Sequence, residues 1–187
     1  MSKPLCGRKP QQEKSHDGHE GVIKIPQPLG LYAGELFQRA AEYLAAFKQL
    51  DGCEPSYDYP KYFLAAHSLE LTLKSYLAAN EVCKEDLINR YSHSLGKLLS
   101  KCESLGLRCP AELRGYVGAM AAINCDHDFR YPSGFQIVAP PSVECVSVTE
   151  ALQAMLKPII ARVHLDATLK FASDTRLLKG KKIAWSD

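Results

Sequence analysis

The sequence is short of the features that would take it outside an ordinary intracellular domain. No apolar run approaches the roughly 18 residues that a membrane span needs, so no membrane partner is expected. The opening stretch, MSKPLCGRKPQQEKSHDGHEG, has no apolar centre of the kind a secretory signal carries. The expected location is therefore the cytoplasm. No cysteine pair has CxxC spacing, and the seven cysteines are odd in number and scattered. Such a distribution argues against a disulfide scaffold and against a structural zinc site, and for reduced thiols. Cys125 and His127, flanked by Asp126 and Asp128, could supply part of a metal-ligand set, but no second cluster with ligand spacing completes it. No metal and no cofactor are expected. Charge of one sign is also scarce: the formal net charge is +2. That balance excludes a global attraction to nucleic acid and leaves only a local basic patch to provide one. No DNA-binding motif, internal repeat or long low-complexity tract is present.

What remains is a helical pattern. The 187 residues suffice for one domain with extensions. Residues 1–28 are polar and rich in Lys, Gln, Gly and Pro, too poor in apolar surface to order themselves. They are expected to form a flexible arm on which His16 and His19 are solvated. Residues 29–172 carry the bundle, and residues 173–187, with LLKGKKIAWSD, a basic peripheral tail. From Leu31 the positions Leu36, Phe37, Ala40, Tyr43, Leu44, Phe47 and Leu50 follow the three-four spacing of one buried helical face. Gly52 is suited to close this helix, and Pro60 to open the second. In the third, Ser92 is the expected N-cap, Leu95, Leu98, Leu99 and Cys102 or Leu105 the apolar stripe, and Gly106 the stop. A fourth helix starts near Pro110 and carries Leu113, Val117, Met120, Ala121 and Ile123. A long loop or short hairpin is expected next. Ser147 to Glu150 then fits a capping box for a fifth helix, which Pro158 should kink. The pattern predicts an all-α fold, an antiparallel bundle of four to five helices.

The second helix holds the residues that could carry chemistry. At about 100° per residue, Tyr62, Ala66, Leu69, Leu73, Tyr76 and Leu77 share the core arc. Lys61, Ser68, Thr72 and Ser75 fall on the opposite side and are expected to meet solvent. His67, Glu70 and Lys74 lie between that core arc and a second apolar flank of Leu64, Leu71 and Ala78. A carboxylate held there is costly unless it is paired and hydrogen-bonded. Glu70 therefore calls for Lys74, one turn on, or for an arginine from elsewhere, with Arg130 as the candidate because its planar fork can satisfy both oxygens. His93 is positioned in sequence to reach the same region. Two readings follow: a catalytic or anion-binding pocket, or a polar network of His67, Glu70, Lys74 and Arg130 that fixes helix register. Residue types alone favour the network.

The order YFLAAHSLELTLKSYL, YSHSLGKLL, ESLGL and FRYP resembles the HEPN superfamily of small prokaryotic helical-bundle proteins. The resemblance covers about residues 31–170. It rests on His67, Glu70 and Lys74 in one helix, His93 and Leu95 at the next helix start, and Arg130, Tyr131 and Pro132 in a loop. It implies an antiparallel four-helix bundle with an accessory helix, paired into a homodimer, in a bacterial protein. It also implies a setting of RNA, stress response or phage defence, in which many relatives cleave RNA without metal. Their shared signature is an arginine followed four to six residues later by a histidine. No interval here has that length: Arg90 to His93 is too short, and Arg8 to His16 and Arg114 to His127 are too long.

The leading expectation is accordingly a non-catalytic HEPN-like binding module, with RNA, a nucleotide or a protein as partner and Arg90, His93 and Arg130 as binding residues. One alternative is a metal-independent ribonuclease with a degenerate site drawing on Arg90, His93, His127 and Arg130, because metal-free cleavage needs an acid or base near neutrality and a cation on the phosphate. The other is a protein-interaction bundle with no nucleic-acid role.

Overall fold

Apolar residues three and four apart place each helix against the next. The structure, a computed structural model, describes residues 22–54, 58–123 and 138–186. Its order is β1 (Ile23–Pro26), α1 (Leu29–Leu50), α2 (Asp58–Ala79), a π-helical turn (Asp86–Arg90), α3 (Leu95–Ser104), α4 (Ala111–Ile123), α5 (Ser142–Asp174), a 3-10 turn (Arg176–Leu178) and β2 (Ile183–Ser186). The result is the all-α bundle that the periodicity predicts, with one small sheet added.

On α1, Leu36, Ala40, Leu44 and Phe47 are buried, as their spacing requires, and Ala33 joins them. Gly52 follows the C-cap Asp51 at φ 82°, a left-handed conformation that a side chain would strain. α3 ends in the same way. The Gly106 amide donates to the Glu103 carbonyl and the Leu107 amide to that of Cys102, the paired bonds of a Schellman closure. At its other end the N-cap is Ser94 rather than Ser92, and Ser92 itself lies at φ 43°.

α2 is the central element. It packs on α1 along its length and is covered further by α5 and α3. The expectation that Ser68, Thr72 and Ser75 face solvent is therefore overturned: all three are fully buried, and Lys61 is nearly so. Their hydroxyls are satisfied within the core. Ser68 donates to the Ala40 carbonyl on α1 at 2.7 Å, Thr72 to the Ser68 carbonyl at 2.8 Å and Ser75 to the Thr72 carbonyl at 2.7 Å. Gln153 of α5 donates its amide to the Ser68 and Thr72 oxygens at 3.4 and 3.3 Å. Small polar residues that bond inward remove their own desolvation cost and let neighbouring helices approach.

α5 begins at Ser142, five residues ahead of the expected capping box. Ser147 is inside the helix and donates to the Glu144 carbonyl instead of capping. Cys145, Val148, Thr149 and Leu152 bury one face at helical spacing, and that burial outweighs the strand preference of the β-branched residues. The helix runs on through the exposed Pro158. Where α5 crosses α1, Gly30 is required: a Cβ there would meet the Ala167 Cβ at 2.6 Å.

The two ends differ from the sequence expectation. The last part of the expected arm forms β1, and the expected peripheral tail forms β2, paired in parallel with Ile23 opposite Ile183 and Pro26 opposite Ser186. Trp185 of β2 meets Phe171 of α5 edge-on at 5.2 Å, which ties the sheet to the bundle. Short isolated strands are hard to read from sequence because their stability comes from such contacts. Among the described residues, no helix is long and apolar enough to cross a membrane.

Candidate functional site

Glu70 sits at the middle of α2 with only 4% of its surface exposed. Lys74, one turn further along, places Nζ 2.7 Å from Oε1 and is itself buried. His93 arrives from the connector before α3, directly after the left-handed Ser92. Its Nδ1 stands 3.1 Å from both carboxylate oxygens. With Glu70 ionised, that nitrogen carries the proton and donates, so a neutral ring keeps its lone pair on Nε2. The His93 side chain is 38% exposed, enough to couple a buried carboxylate to the surface.

His67 completes the cluster from the preceding turn. Its Nδ1 lies 3.6 Å from Oε2, just beyond hydrogen-bond reach, and has no hydrogen-bond partner among the described residues. The ring is held instead by aromatic contacts: stacked on Phe63 at 5.6 Å and edge-on to Tyr43 at 4.6 Å.

Burial by itself would raise the Glu70 pKa. The close approach of His67, the charge and hydrogen bond of Lys74 and the bond from His93 reverse the effect and bring it from 4.5 to about 2. A carboxylate so stabilised stays ionised throughout the physiological range. It is a poor acid and a poor base for catalysis near neutrality.

The sequence-derived candidates thus divide into three groups. His67, Glu70, Lys74 and His93 are brought together. Arg90 is not: it ends the π-helical turn, exposed, with its guanidinium 5.5 Å from the centre of the Tyr91 ring. His127 and Arg130 lie outside the described residues, as do Cys125, Asp126 and Asp128. Among the described residues no group of three or more His, Cys, Asp or Glu could hold a metal ion. Cys53, Cys83, Cys102, Cys109 and Cys145 are free thiols.

Sequence reasoning missed a second feature. A shallow groove of about 560 Å³ runs along α3, lined by Arg90, Tyr91, Gly96, Lys97, Ser100, Lys101 and Ser104. The signal was present in the spacing: Lys97 and Lys101 are one turn apart, next to a stripe of small residues at 96, 100 and 104. A neighbouring groove of about 580 Å³ contains Arg114, but Glu103 holds its Nε at 2.6 Å. Compared with family models, curated proteins and solved structures, the chain matches none.

Proposed function

We propose that this protein is a non-catalytic HEPN-like helical-bundle binding module, cytoplasmic and paired as a homodimer, that engages RNA, a nucleotide or a protein partner in bacterial stress response or phage defence. The observation that carries the non-catalytic reading is the state of Glu70. Its carboxylate is buried, bonded to Lys74 and His93, and held at a pKa of about 2. The most chemically suggestive cluster in the chain is thereby occupied in holding α2 to the segment before α3. The missing arginine–histidine interval supports the same reading.

One observation favours ribonuclease activity as the second reading. A half-exposed histidine fixed through Nδ1 by a buried carboxylate is an arrangement used for general-base catalysis, and His93 has it. Incubating the purified protein with mixed RNA, alongside His93→Ala and His127→Ala variants, decides between the two. The expected outcome is intact RNA in every sample. Cleavage by the wild type that a variant loses would establish the enzyme and overturn the binding-module reading. Light scattering on the same preparation tests the homodimer.

A further inference from the structure

The basic tail is a sequence feature that the bundle leaves unused. Arg176, Lys179, Lys181 and Lys182 put four positive charges and no carboxylate into seven residues. This is the densest run of positive charge in a chain whose formal net charge is +2. All four residues are exposed. The backbone gathers them into a tight loop through the 3-10 turn after α5 and the left-handed Gly180, at φ 85°. Within it the Leu178 amide donates to the Thr175 carbonyl at 2.8 Å and the Lys181 amide to the Leu178 carbonyl at 3.0 Å. Density of charge alone would suit any polyanion.

What singles this loop out is the apolar surface presented with the charge. Leu177 is 93% exposed, the most exposed large apolar side chain among the described residues, while Leu178 beside it is half-buried. The Ile23 amide donates to the Lys182 carbonyl at 2.9 Å, which brings the exposed Val22 alongside the loop. Three residues further along the chain, in β2, Trp185 is 40% exposed, its ring set edge-on against Phe171. A single apolar residue on a surface is ordinary. Three in one turn-and-strand unit, set among lysines, make an amphipathic tip. The phosphates of a nucleic acid or the carboxylates of an acidic protein would neutralise the lysines and leave Leu177 in water. The surface of an anionic bilayer meets both needs, with charged headgroups for the lysines and an apolar layer beneath them for Leu177. The boundary between the two is where a tryptophan ring is favourably placed.

We infer that the loop at 176–182, with Val22 and Trp185, is a peripheral docking site for anionic lipid membranes, in which the lysines meet the headgroups and Leu177 enters the layer below them. Among the described residues no helix is long and apolar enough to cross a bilayer, and this contact needs none. It goes beyond the function proposed for the bundle and does not depend on it. A few cations with a small apolar anchor give reversible attachment that weakens with salt.

The chain carries its own reporter, because Trp185 is its only tryptophan. The full chain is mixed with phosphatidylcholine vesicles, with or without phosphatidylserine, and followed by co-sedimentation and by Trp185 emission. The wild type should sediment with the phosphatidylserine vesicles, shift its emission to the blue, and stay in solution with phosphatidylcholine alone. The triple variant Lys179→Ala, Lys181→Ala, Lys182→Ala should bind roughly tenfold or more weakly. Leu177→Ser keeps every charge and should bind about fivefold more weakly, because only the apolar contact is lost. All four replaced residues are exposed, so unchanged melting midpoints are expected and are measured alongside. Failure of the wild type to bind phosphatidylserine vesicles, or equal binding by the triple variant, overturns the docking site. Equal binding to phosphatidylcholine alone overturns its preference for anionic lipid. Equal binding by Leu177→Ser, or an emission shift of the same size with soluble polyphosphate, overturns it in favour of a general polyanion site.

Discussion

Two buried polar assemblies share α2 and solve the same problem by different means. On one side, Ser68, Thr72 and Ser75 are neutral and bond to nearby carbonyls, two of the three within their own helix. On the other, Glu70 is charged, and its partners include His93 from a connector 23 positions on. The neutral ladder depends on no proton and on little outside the α1–α2–α5 contact. The charged cluster depends on pH and on a connector holding its shape. Polar burial is thus cheap where backbone supplies the acceptors, and conditional where side chains must supply the charge.

The largest way to break this comparison is Glu70→Ala. It leaves Lys74 buried without its counter-charge and His93 without its acceptor, and should cost about 3–5 kcal/mol. A denaturant titration that returns a loss below 1 kcal/mol, the scale of a surface change, would show the cluster to be ornamental. The pH profile sharpens the contrast. The Glu70 pKa is lowered on folding, from 4.5 to about 2. Its contribution is therefore fully present above about pH 4.5 and is lost as pH falls towards 2. The shift is worth about 3 kcal/mol. The stability gap between the wild type and Glu70→Gln should narrow across that window, and a gap that stays constant would contradict the assignment. Thr72→Val is the smallest of the three. It keeps the shape, removes one donor to the Ser68 carbonyl and one acceptor for Gln153, and should cost about 1 kcal/mol. Unlike the Glu70 effect, that cost should be the same at pH 3 and at pH 7 in chemical denaturation.

The helices were legible because their apolar residues recur at helical spacing: Leu36, Ala40, Leu44 and Phe47 on α1, and Leu95, Leu98, Leu99 and Cys102 on α3, are buried as the pattern requires. The glycine stops at Gly52 and Gly106 were legible for a local reason, since each takes a left-handed φ just past its helix. What failed was any inference from polarity to exposure. Ser68, Thr72 and Ser75 recur at i, i+4 and i+7, which is itself a buried stripe, but their hydroxyls look hydrophilic until the carbonyls that accept from them are placed. Caps failed where tertiary burial moved the helix start, as at Ser147. Within the cluster, the Glu70–Lys74 spacing was readable from one helix. The orientation of His93 was not, because it depends on the turn at Ser92.

The small sheet carries a mechanical consequence. Because β1 and β2 are parallel, the start of β1 and the end of β2 lie at opposite ends of the ladder. Tension applied between Ile23 and Ser186 pulls the strands lengthwise past each other, so the ladder bonds resist together instead of opening one by one. The five helices lie between these strands in sequence and are shielded from the load until the ladder gives way. A pull between Ile23 and Ser186 would therefore load these two four-residue strands in shear before it reached the helices between them.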